Sequence, residues 1–232
     1  MRRTASLAIL ICAGVGLSGL ALARGPDMAG GVAFKFGPDL ANNSWRYISF
    51  PRRPGALLQA SGDDTVVVQT NAGVGVLWHP VPARYANAGM ARWRWRVTEG
   101  VGATDLTKKG GDDRALAIYF AFADDADAAG DVDLMELLSH EQGHLLIYVW
   151  GGAERPGTML QLPYFNGRGR SIVKRAANAK AGVWFDELAN VRGDFRRAFG
   201  RAPGRLVAVA VSSDADDTGG RNIAAVADLC VK

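Results

Sequence analysis

The sequence predicts an all-β fold: two antiparallel sheets packed face to face in a jelly-roll-like sandwich, with one or two short helices. Three observations predict it. About ten short runs of β-branched, aromatic or alternating residues recur between turn residues. Glycine makes up 29 of the 232 residues, about one in eight against roughly 7% on average, as a chain with many tight turns requires. No strand–helix–strand rhythm appears, which argues against a parallel α/β sheet.

The chain begins with Arg2 and Arg3, an uncharged apolar run over 7–22, and Ala21-Leu22-Ala23. This pattern reads as a secretory signal peptide over 1–23. The run is short for a membrane span and is interrupted by Gly14, Gly16 and Gly19. The expected location is periplasmic or secreted, with no stable membrane anchor once the segment is cleaved. Residues 24–232 hold no repeat and no Pro/Ser-rich linker, so they read as a single sandwich domain. Cys230 is then the last cysteine. It cannot close an intramolecular disulfide and reads as a small buried hydrophobe.

Strands follow at 45–50, 56–60, 65–70 and 75–78. Trp93, Trp95 and Val97 alternate with Arg92, Arg94 and Arg96, the period of a half-buried strand. The run ALAIYFAFA at 115–123 is apolar almost throughout and reads as a central strand, and LLIYVW at 145–150 ends at Gly151-Gly152. Shorter runs at 171–175 and 183–185 precede LVAVAV at 206–211 and a closing strand at 223–231. Two helices are expected. One covers 134–144; the other covers 194–199, with Asp194 as its cap and Gly200 after its end.

The formal charge of +4 is too slight for a nucleic-acid binder. It hides an acidic block, nine acids and the single base Arg114 over 112–141, and a basic one, ten bases and three acids over 168–205. P-loop, dinucleotide and G-x-S-x-G signatures are missing from the sequence. Four constellations remain. His140-Glu141-Gln142-Gly143-His144 is an H-E-x-x-H. On a helix, His140 and His144 would share a face and bind zinc, with Glu141 as base. LLIYVW starts directly after His144, however, and no third histidine follows at the usual spacing. Asp125, Asp127, Asp133 and Glu136 overlap a calcium-loop template around Gly130, although Ala129 offers no ligand at its fifth position. An ordinary acidic loop explains them as well. No cofactor is expected, with calcium or zinc as the alternatives. Carboxylates stand at strand ends: Asp112 and Asp113 before the central strand, then Asp214, Asp216 and Asp217 after LVAVAV. They suit sugar hydroxyls, a cation or acid–base chemistry, though turn chemistry alone also places Asp there. Finally, six tryptophans and five tyrosines could stack on sugar rings, although most such residues fill cores.

Five blocks carry a resemblance to a known family. They are W-R-W-R-V at 93–97, K-K-G-G-D-D at 108–113 running into A-I-Y-F-A-F, and Y-V-W-G at 148–151. The long block at 182–200 and A-V-A-V-S-S-D-A-D-D-T-G-G at 208–220 complete the set. In these the chain resembles the bacterial domain of unknown function 3047 family. The resemblance implies an exported protein akin to jelly-roll carbohydrate-binding sandwiches, with no activity established. The acidic segment at 124–144 falls where that family looks variable, so a zinc motif there would be a local addition.

Together these observations lead to an exported sandwich that binds a carbohydrate or cell-envelope polymer without catalysis. The expected ligand-binding residues are Trp95, Arg96, Lys109, Asp112, Asp113, Trp150, Asp214, Asp216 and Asp217. Acids would take sugar hydroxyls, Arg and Lys would meet acidic groups, and Trp150 would stack. The alternatives are a polysaccharide hydrolase or lyase using strand-end carboxylates and, less favoured, a zinc hydrolase built on H-E-x-x-H.

Overall fold

A computed structural model describes residues 28–124, 134, 137 and 143–232. The signal segment, most of the calcium-loop template, His140 and Glu141 therefore lie outside the described residues. Among the described residues thirteen strands form two sheets: β1 (Val32–Ala33), β2 (Arg46–Ile48), β3 (Leu57–Ala60), β4 (Thr65–Asn71), β5 (Val74–Pro80), β6 (Met90–Glu99), β7 (Arg114–Ala123), β8 (Gly143–Trp150), β9 (Met159–Gln161), β10 (Gly169–Arg175), β11 (Phe185–Asn190), β12 (Arg205–Asp214) and β13 (Arg221–Val231). One sheet has six strands in the order β11-β6-β13-β4-β3, with β1 also on β13. The other has seven, in the order β2-β5-β12-β7-β8-β10-β9. Among the described strands every ladder is antiparallel except that of β8 with β10, beside one isolated parallel bridge between Gly55 and Val74. This is the two-sheet sandwich that the strand pattern predicts.

The alternation in β6 works as read. Ala91, Trp93, Trp95 and Val97 point inward and are buried, while Arg92, Arg94 and Arg96 stay outside. The inward indoles meet Leu146, Tyr148 and Trp150 of β8 and the inner residues of β7 in the main core between the sheets. The apolar runs of β7, β8 and β12 have a second cause. Their outer residues, among them Ala117, Leu145, Ile147, Val149 and Ala210, form another buried cluster on the far face of the seven-stranded sheet. Leu106, Leu134, Leu137 and Leu162 contribute to its cover. A strand buried on both faces loses its alternation and reads as continuous apolar sequence.

The described helix, α1 (Val191–Phe199), starts three residues earlier than expected. The Asn190 side chain accepts from the Gly193 N–H at 2.8 Å, so Asn190 rather than Asp194 is the cap. Gly200 closes it at φ 68°. Leu134 and Leu137 are helical and buried, as expected, but Gly143 and His144 belong to β8. Among the described helices none is long and apolar enough to cross a membrane.

Candidate functional site

The outer face of the seven-stranded sheet carries a pocket of about 620 Å³. Its apolar part comes from Ile48, Val76, Leu145, Ile147 and Leu162, and its polar end from Asp112, Arg114, Tyr119, Asp214, Asp216 and Asp217. Strand pairing assembles that polar end. Arg114 opens β7 and lies opposite Asp214, the last residue of β12, just past an irregularity in register between Ser212 and Asp214. Such an extra residue re-aims the side chains that follow it. Asn222, fully buried, pins the join. Its amide donates to the Asp214 carbonyl and Ser213 Oγ at 2.9 Å, and it accepts from the Val101 N–H at 2.8 Å.

Arg114 is the hub. Its Nη1 lies 3.2 Å from Asp112 Oδ2 and 3.4 Å from Asp214 Oδ2. Its Nη2 donates to Tyr119 Oη at 2.7 Å, and Ser212 Oγ donates to the same oxygen at 2.9 Å. Burial works against the Arg114 charge, but Tyr119 first and then Asp214 and Asp112 raise its pKa. Burial pushes the Asp214 carboxyl up to about 7, with Arg114 opposing and the neighbouring acids adding to the rise. Asp112 is raised by the same desolvation, again against Arg114. Asp214 Oδ1 is buried and has no hydrogen-bond partner among the described residues.

Beside this row, Asp113 is fully buried and faces inward on the loop after β12. It accepts from the Thr218 N–H at 2.7 Å, from Thr218 Oγ1 at 2.6 Å and from the Asp217 N–H at 3.3 Å. Asp113, Asp216 and Asp217 bring carboxylate oxygens within 4.8 Å of one another, close enough to hold a cation. A fixed positive charge is already there: Arg53 lies 3.0 Å from Asp216 and 3.8 Å from Asp217. At the rim, the Tyr164 ring is half exposed. Its hydroxyl accepts from the Gly110 N–H at 2.9 Å, and Lys109 Nζ lies 5.6 Å from the ring centre.

The expected residues thus divide. Asp112, Asp214, Asp216 and Asp217 line the pocket and Lys109 stands at its rim, while Asp113 braces the loop behind it. Trp95 and Trp150 do not join them. Both are sealed in the core, 5.7 Å apart edge to face, with Trp95 Nε1 donating to Glu187, so neither can stack on a ligand. Arg96 sits on the outside of the other sheet against Trp184, at 5.0 Å. Of the zinc motif, Gly143 and His144 are strand residues of β8 rather than the end of a helix, and His140 and Glu141 lie outside the described residues. The His144 ring instead lies against Asp124, Arg201 and Phe199. Sequence reasoning missed Arg114, Tyr119 and Tyr164. The first two carried a signal, since Arg114 is the single base of the acidic block and Tyr119 the single hydroxyl in ALAIYFAFA.

Fold and pocket together define a two-sheet antiparallel sandwich with a charged, aromatic-rimmed pocket on the outer face of its larger sheet. The chain belongs to the DUF3047 family, described as a protein of unknown function, whose model matches residues 43–230. No curated protein matches it in sequence. Among solved structures it is similar to the endoglucanase cel12A from Rhodothermus marinus, at 14% identity and a TM-score of 0.47, covering 87% of this chain and 98% of that one. It is also similar to the xyloglucanase domain of NopAA, a type three effector from Sinorhizobium fredii, in complex with cellobiose. That match has 10% identity and a TM-score of 0.45, over 81% of this chain and 92% of the other. A loop-swap mutant of Xyn11A from Necallimastix patriciarum gives 12% and 0.41, over 86% and 94%. These are remote likenesses.

Proposed function

We propose that the protein is exported and binds a carbohydrate, free or as a segment of an envelope polymer, in the pocket on its seven-stranded sheet. One observation carries the reading: a row of Asp112, Arg114, Asp214 and Tyr119, joined by ion pairs and hydrogen bonds, lies at the polar end of a pocket whose remaining lining is largely apolar and whose rim holds an exposed tyrosine. A sugar ring has that same division. Its hydroxyls need directional acceptors and donors, which carboxylates and a guanidinium supply. Its C–H face needs a flat apolar partner, which Tyr164 offers in place of Trp150. The tie to Gly110 fixes the ring before a ligand arrives, so less order is lost on binding.

A glycan array followed by calorimetry tests this. Wild-type protein is expected to bind an oligosaccharide, and Tyr164→Ala to bind it about tenfold more weakly, in line with the roughly 0.5–1.5 kcal/mol of an aromatic contact. No hit on the array, or a hit indifferent to Tyr164, Asp112 and Arg114 together, removes the proposal. Cell fractionation tests export: accumulation of the full-length chain in the cytoplasm contradicts it.

A further inference from the structure

Two exposed aromatic rings stand at the pocket, and they reach it from opposite edges of the sheet. Phe50 is 37% exposed and Tyr164 52%, and both line the cavity. Phe50 follows β2, one outermost strand of the larger sheet, and Tyr164 follows β9, the other. A single exposed aromatic is ordinary on a protein surface. Two that converge on one cavity from the two edges of a sheet leave apolar faces in water where a ligand would cover them.

Both rings are fixed to the same acidic loop, from two sides. Tyr164 Oη accepts from the Gly110 N–H at 2.9 Å, and Gly110 lies against that loop: a Cβ on it would come 3.9 Å from Asp217 Oδ1. On the other side, Phe50 opens a tight turn that Arg53 closes, its N–H donating to the Phe50 carbonyl at 3.2 Å. The Arg53 side chain then anchors the turn on Asp216 and Asp217. Pro51 holds the second place of the turn, which suits its fixed φ, and Arg52 the third, at φ 64°. That third place favours glycine, so the turn is strained. Strain of this kind persists where the surroundings over-determine it, and it gathers at ligand sites. Here Pro51 and the Arg53 ion pairs impose it, and Phe50 is set at the pocket before a ligand arrives.

Resting on the carbohydrate reading above, we propose that the pocket takes a chain of linked sugars rather than a single one, with one ring of the chain stacked on Tyr164, another on Phe50, and Asp216 and Asp217 meeting hydroxyls of the segment between. The cavity has the room. Its volume of about 620 Å³ lies inside the range of roughly 300–1,000 Å³ that encloses drug-sized ligands, a size that two or three linked sugars match. The selectivity is for length. A single sugar reaches one aromatic face and forgoes the other. A chain that spans both makes its second contact without a second loss of translational freedom, so the two contacts multiply in affinity. Phe50 is then a specificity-determining residue.

The test is calorimetry with soluble cello-, xylo- and chito-oligosaccharides of one to six units. In the series that binds, affinity is expected to rise at least about tenfold from the single sugar to the six-unit chain. On that chain Phe50→Ala should bind about three- to tenfold more weakly, as Tyr164→Ala does by about tenfold. The double variant should lose about the product of the two, as separate contacts require. Phe50→Leu keeps the apolar bulk without the flat ring. It should lose about as much as Phe50→Ala, and it guards against a folding defect in the smaller variant. A single sugar bound as tightly as its six-unit chain overturns the proposal. A six-unit chain indifferent to both Phe50 variants overturns it as well. Either result leaves the carbohydrate reading standing when Tyr164→Ala still weakens binding. Failure of the wild-type protein to bind any probe at any length overturns both.

Discussion

Asp214 is the residue whose burial works against folding at neutral pH. Its carboxyl ionises near 3.8 when unperturbed and at about 7 in the folded protein. Between those values the native state binds more protons than the unfolded one, so stability falls as pH rises through roughly 4 to 7. The penalty is fully present above 7 and absent below about 4. Asp214→Asn removes the ionisation and keeps the shape. It is expected to melt above wild type at pH 8 and level with it near pH 3.5, as thermal unfolding across that range would show. A variant less stable than wild type at pH 8 contradicts the burial argument. Of the site residues, those the sequence revealed were the ones at strand ends, where a polar residue stands out against an apolar run. The tryptophans misled because large aromatic residues serve equally well inside and outside, and only the neighbouring sheet decides between them.

At the scale of elements, the strand that carries Arg114 depends on a neighbour with no side chain. A Cβ on Gly151 would lie 2.8 Å from Arg114 Cβ and 3.1 Å from its Cα, against main chain that cannot swing away. Gly151→Ala is therefore expected to cost about 1–3 kcal/mol in urea unfolding and to weaken ligand binding by displacing the guanidinium. An unfolding curve identical to wild type would show that β7 and β8 can separate there without cost. Most strands were legible because burial on one face imposes a period of two and burial on both erases it, as in β6 and β7. The strands that escaped, β1 and β9, have two and three residues, too few for any period. β11 was misplaced because its stretch FDELAN alternates around acids rather than around large apolar residues. The helix expected over 134–144 was drawn too long for a related reason: β8 begins at Gly143, and pairing with β7 outweighs the weak helical preference of a segment that contains glycine.

In the molecule as a whole, the two sheets divide the work. The six-stranded sheet closes the main core with Trp93 and Trp95, and Glu187 ties the layers together by accepting from Trp95 of one sheet and, at 2.8 Å, from Arg175 of the other. The seven-stranded sheet has a second apolar layer on its far side and opens there into the pocket. Composition and strand pattern predicted the sandwich. They could not show which sheet bears the site, because that depends on which strands pair across the chain, and β7 meets β12 from nearly 100 residues away. The central claim is that this pocket, and no other face, takes a carbohydrate. Titration of isotope-labelled protein with the oligosaccharide of highest affinity, followed through backbone amide NMR shifts, tests it most directly. The account predicts shifts confined to the surroundings of Phe50, Gly110, Arg114, Tyr119, Tyr164 and Asp214. Shifts centred instead on Arg94, Arg96 and Trp184 of the opposite sheet, or no shifts at saturating ligand, would contradict it.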